Sequence, residues 1–255
     1  INLHPNERTS YLAWKIHGKV TTGMSHFLFR PFMTKYTRLD RKTRHAADMY
    51  INVLEQLGVT DVANHGLHIE TSKEWNDEVF CFYKSHGVMP RDKIIGFNIG
   101  SAVPEKRWPA ERFADVADYF GNKGYKTVFF GGPMDLDMVK PVVEQMKTSP
   151  IVATGAFKLG PLAAAMKWCD LLITNDSGPM HVAISQGVPI VALYGPSNPF
   201  FYGPYQAKSI VLESMDHYEI GKSMKQVIKE GKYKGISVIT EEQVIKAAET
   251  LLQES

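Results

Sequence analysis

The segment Leu171-Leu172-Ile173-Thr174-Asn175-Asp176-Ser177-Gly178-Pro179-Met180-His181 carries the strongest chemical signal in the chain. An apolar run of strand length ends in an Asn-Asp-Ser-Gly turn, where Asp176 or Ser177 is a helix N-cap and Pro179 suits the first helical turn. A helix start at the carboxyl edge of a sheet presents unpaired N–H groups and a positive dipole end, and both stabilise a phosphate. The same Asp and Ser also serve as mere caps, so on these two residues alone the readings are even. His181 tips the balance, because in the first turn it can give a phosphate oxygen a charge-assisted hydrogen bond.

A second loop of the same kind is Gly100-Ser101-Ala102-Val103-Pro104-Glu105-Lys106-Arg107-Trp108-Pro109. Its small residues let backbone approach a ligand, and Lys106 and Arg107 bring positive charge. It is neither a Walker P-loop nor a GxGxxG, and alone it reads equally as an ordinary solvated Lys-Arg pair. Gly131-Gly132-Pro133 and Tyr194-Gly195-Pro196-Ser197 are further turns at strand ends. Singly each is structural, but four glycine-bearing loops on one sheet edge describe a nucleotide cleft.

Alternating strands and helices must position these loops. Residues 94–100 form a strand-like run, and Pro109 opens a helix in which Phe113, Val116, Ala117 and Phe120 fall on one face. The unit repeats with Thr127-Val128-Phe129-Phe130 followed by Met138, Val139, Val142, Val143 and Met146, and a third, shorter helical face carries Leu162, Ala165 and Met166. Residues 171–174 and 190–193 are continuous apolar runs, expected where helices cover both faces of a parallel sheet. The region predicts a doubly wound α/β domain. Before it, residues 1–4 suggest a strand, residues 46–57 a helix with Met49, Val53, Leu54 and Leu57 inward, and residues 85–92 a linker. Residues 1–90 are too few for an α/β domain of several βα units, which needs about 100–150.

The bulk numbers narrow the classes. With 255 residues and a net charge of +2, the chain lacks the basic excess of a nucleic-acid binder. The densest basic run, Arg38, Arg41, Lys42 and Arg44, is broken by Asp40 and reads as a solvated helix start or as a patch for an anionic partner. Cys81 and Cys169 are too far apart in sequence for a zinc motif and too few for a disulfide framework, which suits a reducing cytoplasm. No apolar stretch approaches the ~18 residues that span a bilayer, so any membrane contact is expected to be peripheral.

Taken in order, Gly-Ser-x5-Arg-Trp-Pro-Ala-Glu-Arg-Phe (100–113), Phe-Phe-Gly-Gly-Pro (129–133), Asn-Asp-Ser-Gly-Pro-Met-His-Val-Ala (175–183) and Val-Ala-Leu-Tyr-Gly-Pro-Ser (191–197) resemble glycosyltransferase family 9, the ADP-heptose:lipopolysaccharide heptosyltransferases. The resemblance implies a GT-B fold of two Rossmann-like domains. It assigns residues 1–90 to an incomplete N-terminal acceptor-side domain and linker, 91–238 to a nucleotide-sugar-binding domain, and 239–255 to a terminal helix packing back on the first domain. It also implies inverting, metal-independent transfer of heptose from ADP-heptose to the lipopolysaccharide inner core, with no cofactor. Lys106 and the turn of Asp176, Ser177, Gly178 and His181 would hold the diphosphate and sugar, with Ser101 on the phosphates as well. Asp176 would accept from the heptose hydroxyls or from local N–H groups, and Phe157 would lie against the adenine. Met134 and Asp135 fall near the ribose, and His4 and Arg8 on the acceptor side. The family's strand and glycine loop that bring the catalytic Asp have no counterpart in the sequence. A nucleotide-sugar-binding module without transferase activity is therefore the alternative.

Overall fold

In the computed structural model, six parallel strands are ordered β5-β4-β3-β6-β7-β8, with β3 (Ile94–Asn98), β4 (Lys126–Phe130), β5 (Ile151–Val152), β6 (Leu171–Asn175), β7 (Ile190–Tyr194) and β8 (Ser209–Glu213). The structure describes all residues except Pro5, His26, 39–42, Asp61, 216–223, Lys232 and Ser255, so Asp40, Arg41 and Lys42 of the basic run lie outside the described residues. From β3 the chain builds outward through β4 and β5, then returns to place β6 on the other side of β3 and continues outward to β8. This is the doubly wound order, and the connections part between β3 and β6, where such sheets bind ligands.

The strands are apolar on both sides because both sides are covered. Ile95, Phe97, Phe129, Leu171, Ile173, Val191 and Leu193 face one core, whereas Ile94, Val128, Phe130, Leu172, Ile190, Ala192 and Tyr194 face the other. On the first side lie α4 (Ala110–Asn122), α5 (Leu136–Gln145) and α10 (Glu241–Gln253), through Phe113, Val116, Ala117, Phe120, Val139, Val142, Val244, Ala248 and Leu251. On the second lie α3 (Lys73–Ser85), α6 (Leu159–Met166) and α7 (Gly178–Ile184), through Val79, Tyr83, the Ala163-Ala164-Ala165 run and Met180. The helix spacing read from residues 113–120 is therefore the buried face of α4, and Pro109 is its N-cap, one position before the expected first turn.

The chain divides by contacts between Gly66 and Leu67. This differs from the expected division near residue 90, and the reason is α3. Ser72 caps it, Val79 and Tyr83 are fully buried in the second unit, and the Tyr83 hydroxyl donates to the Ala165 carbonyl at 3.0 Å. Residues 85–92 join α3 to β3 inside that unit rather than linking two domains. The terminal helix α10 packs on α4, β6, β7 and β8 of the second unit. A short helix, α9 (Met224–Lys229), precedes it.

The first unit holds α1 (Glu7–Lys15), β1 (Thr22–Ser25), β2 (Lys35–Arg38), α2 (Ala46–Glu55) and the last three residues of α8 (Pro199–Tyr202). β1 and β2 pair in parallel. The strand expected over residues 1–4 is a single bridge from Asn2 to Gly23, because the Asn2 side chain then accepts from the His4 amide at 3.1 Å and turns the chain toward the Asn6 cap of α1. Met49 and Val53 of α2 are buried with Met24, Ala46 and Phe201, whereas Leu57 lies beyond the helix and is 41% exposed. In α1 the usual pattern is inverted, with Ser10 buried and Tyr11, Leu12 and Trp14 exposed. Among the described residues no helix is long and apolar enough to cross a membrane.

Two buried polar side chains hold the sheet's connections. Asn175 ends β6, accepting from the Trp108 amide at 3.0 Å and donating to the Ile99 carbonyl at 2.8 Å, so one carboxamide pins both ends of the β3–α4 loop. Asp118 of α4 accepts from the Lys147 and Thr148 amides, each at 2.8 Å, and from the Thr148 hydroxyl at 2.6 Å. Burial pushes its pKa up, but these hydrogen bonds outweigh it and hold the carboxyl below its ordinary value.

Asn175→Ala strands two buried backbone groups at about 1–3 kcal/mol each and is expected to lower stability by roughly 2–4 kcal/mol in urea titration, more than a typical single substitution. Asp118 is depressed in the folded state, so its contribution is present above the unfolded carboxyl pKa near 4 and is lost as pH falls through the lower folded value. Asp118→Asn is expected to flatten the acid limb of stability against pH below about pH 4, where the wild type continues to fall.

Candidate functional site

Four loops at the carboxyl ends of β3, β4, β6 and β7 meet on one edge of the sheet, as their glycines suggested. The β3 and β4 loops touch at Gly100, where a Cβ would lie 2.5 Å from Asp135 Oδ1. The β3 and β7 loops touch at Gly195, where a Cβ would lie 2.8 Å from the Glu105 carbonyl oxygen. That carbonyl also accepts from the Tyr233 hydroxyl at 2.6 Å. The β3 and β6 loops are joined by side chains, since Lys106 Nζ stands 2.5 Å from Asp176 Oδ2.

Asp176 is the hub of the site. Its Oδ2 accepts from the Ser197 hydroxyl at 2.6 Å as well as from Lys106, and its carbonyl accepts from the Ser101 hydroxyl at 3.4 Å. Asp176 and Ser197 are buried, and the Lys106 side chain is 19% exposed. The Tyr194 phenol, buried under the turn, is pushed well above its ordinary pKa, first by burial and then by the Asp176 negative charge and hydrogen bond. Asp176 is therefore an ion-pair partner and not a helix cap.

Ser177 occupies the N-cap position of α7 without a side-chain cap bond. Its hydroxyl accepts from Asn98 Nδ2 at 2.8 Å and donates to the Asn175 carbonyl at 3.3 Å. The helix it opens has seven residues, so its dipole is small and charge in the site comes from side chains. Gly178 is exposed, its φ is not left-handed, and a Cβ there would meet no atom of the described residues within 4 Å beyond its chain neighbours and its own helix backbone. Neither packing nor conformation demands glycine at this position. His181 is half-buried in the first turn of α7.

The other expected residues fall as follows. Arg107 Nε donates to the Ser101 carbonyl at 2.7 Å, which folds the loop on itself. Phe157, after β5, is half-buried against Phe82, edge to face with ring centroids 4.8 Å apart. Asp135 accepts from the Gly132 amide at 2.8 Å, and Met134 is 91% exposed beside it. Asp135-Leu136-Asp137 is an Asp-x-Asp pair, a spacing seen where two carboxylates hold a divalent cation. Among the described residues no group of three or more His, Cys, Asp or Glu side chains gathers to hold a metal. His4 and Arg8 lie in the first unit, His4 ahead of α1 and Arg8 in its first turn, both exposed.

Sequence reasoning missed Asn98, Asn175, Tyr194 and Ser197 as site residues. Asn98 and Asn175 had a signal, since each closes an otherwise apolar strand with an amide that must find partners. Ser197 was visible only as part of a turn.

The family model of glycosyltransferase family 9 (heptosyltransferase) matches residues 1–234. Among curated relatives, lipopolysaccharide heptosyltransferase 2 of Salmonella typhimurium is 32% identical over 166 residues, which is 63% of this chain and 47% of that protein. Lipopolysaccharide heptosyltransferase 3 of Escherichia coli is 27% identical over 217 residues, 82% of this chain and 60% of that one. The chain thus spans about half the length of the curated relatives it matches. Among solved structures it is similar to the glycosyl transferase family 9 protein of Veillonella parvula DSM 2008, with 81% identity and a TM-score of 0.92 over 100% of this chain and 73% of that one. The E. coli ADP-heptose lps heptosyltransferase II shares the fold, at 23% identity and a TM-score of 0.78 over 99% of this chain and 75% of that chain. On the breadth of the family match, the chain belongs to glycosyltransferase family 9.

Proposed function

We propose that the second unit binds the diphosphate and sugar of ADP-heptose, and that the whole protein transfers the heptose to the inner core of lipopolysaccharide with inversion at C1 and without a divalent metal. The observation that carries this reading is the buried Asp176, placed with Lys106 and Ser197 where the chain reverses between β3 and β6. A carboxylate accepts hydrogen bonds from sugar hydroxyls, whereas an ammonium supplies the positive charge that a diphosphate needs. Both chemistries stand within one hydrogen bond of each other, which suits a ligand carrying phosphate and sugar side by side.

Other features support it. Gly178 leaves its turn open to close approach by a ligand. Asn98 Oδ1 is buried at the end of β3 with no hydrogen-bond partner among the described residues, an acceptor that a ligand hydroxyl would satisfy. In this reading Ser101, Ser177 and His181 hold the phosphates, Phe157 offers apolar surface for the adenine, and Met134 and Asp135 belong to the ribose side. In the transfer step the C1–O bond to the diphosphate breaks as an acceptor hydroxyl oxygen attacks C1 and gives up its proton to a base. Lys106 and His181 stabilise the charge on the departing diphosphate. His4 and Arg8 belong to the acceptor side in this reading. The acceptor places the reaction on the cytoplasmic face of the inner membrane, with the protein peripheral there.

Calorimetric titration with ADP, GDP and UDP tests the donor assignment. Preference for ADP is expected, and equal binding of all three contradicts the adenine site. Lys106→Ala and His181→Ala are each expected to weaken ADP-heptose binding, Lys106→Ala by roughly ten- to a hundredfold for a lost charged hydrogen bond. His181→Ala is expected to cost less than Lys106→Ala. Transfer by the whole protein is expected to survive EDTA, whereas loss on chelation with recovery in magnesium or manganese would contradict a metal-free mechanism.

A further inference from the structure

We infer that Asp176 competes with a nucleoside diphosphate for the Lys106 ammonium, so that the site holds the sugar nucleotide and releases the bare diphosphate once the sugar has gone. The inference rests on the donor-site reading above and adds to it a preference between donor and product.

The geometry sets up the competition. Lys106 arrives from the β3 loop on a long, flexible stem, and its ammonium stands 2.5 Å from Asp176 Oδ2. The carboxylate is held in place, buried to 6% exposure and bound on that oxygen by the Ser197 hydroxyl at 2.6 Å. A diphosphate seated on Lys106 therefore has a fixed negative charge immediately behind its cation. Opposite charges this close nearly cancel beyond a few ångströms, so the pair offers a bare diphosphate much less attraction than a lone lysine would. Burial sharpens the effect, because solvent screens the carboxylate poorly there.

A sugar diphosphate changes the balance. Its hydroxyls are neutral donors that satisfy the carboxylate in place of the ammonium. Lys106 is then released to the phosphates, so sugar and diphosphate bind cooperatively through one exchanged partner. When the sugar has been transferred, its hydroxyls no longer occupy Asp176, and the carboxylate draws Lys106 back from the remaining diphosphate. Asp176 thus acts in this account as a specificity residue for donor over product.

The sign of the expected result is unusual for a binding-site residue. By calorimetry, Asp176→Asn, which removes the charge while keeping shape and an acceptor for Ser197, is expected to bind ADP about three- to tenfold more tightly than wild type. ADP-heptose binding is expected to weaken or stay level in the same variant, so the ratio of the two dissociation constants contracts. Asp176→Glu, which keeps the charge, is expected not to tighten ADP. Unchanged or weaker ADP binding by a folded Asp176→Asn protein, with normal binding by wild type, overturns the competition and leaves the donor site standing. No ADP or ADP-heptose binding by either form overturns both. Wild-type protein supplies a check that does not depend on the variant folding: it must bind ADP-heptose more tightly than ADP, and equal affinities overturn the inference.

Discussion

The pairing of β3 with β6, in register from Ile95 opposite Leu171 to Asn98 opposite Thr174, fixes everything else at this edge of the sheet. The chain runs outward from β3 in one direction and from β6 in the other, so the loops leaving these two strands open a crevice rather than covering each other. The cost is that both strand ends carry buried amide side chains. Asn175 spends its amide on the backbone of the β3–α4 loop, and Asn98 donates to the Ser177 hydroxyl of the β6–α7 turn. Each strand therefore holds the other's loop, and the residues facing the crevice inherit their positions from this reciprocal tie.

Electrostatics at the site follow from that placement. A lone carboxylate as buried as Asp176 would be costly, and Lys106 and Ser197 answer it on Oδ2. Breaking such a set by removing one partner leaves a charge or a donor uncompensated, whereas exchanging one partner for a ligand group does not. A site built on exchange is stabilised before the ligand arrives and needs little rearrangement to receive it.

Much of this was legible in the sequence, and the limits have physical causes. The face of α4 declared itself because Phe113, Val116, Ala117 and Phe120 must all point into one core. The continuous apolar runs of β6 and β7 read as parallel strands because both of their sides are buried. Strand β5 was missed because two residues, Ile151 and Val152, carry no pattern. β8 was missed because it is only half-buried at the sheet edge. Helix α3 was missed although Val79 and Tyr83 share a face, and with it went the division of the chain, since its charged first turn resembles a surface segment. Lys106 and Asp176 were both readable as site residues from their turns, but not as partners: they are far apart in sequence, and only the crossing between β3 and β6 brings them together.

Backbone hydrogen exchange in the presence and absence of saturating ADP-heptose tests most directly whether the β3 and β6 loops form the donor site. The account predicts slower exchange in residues 99–109 and 175–181 together, since the ligand joins the two loops and both are tied through Asn175 and Asn98. Protection confined to other parts of the chain, or to only one of these loops, would contradict it.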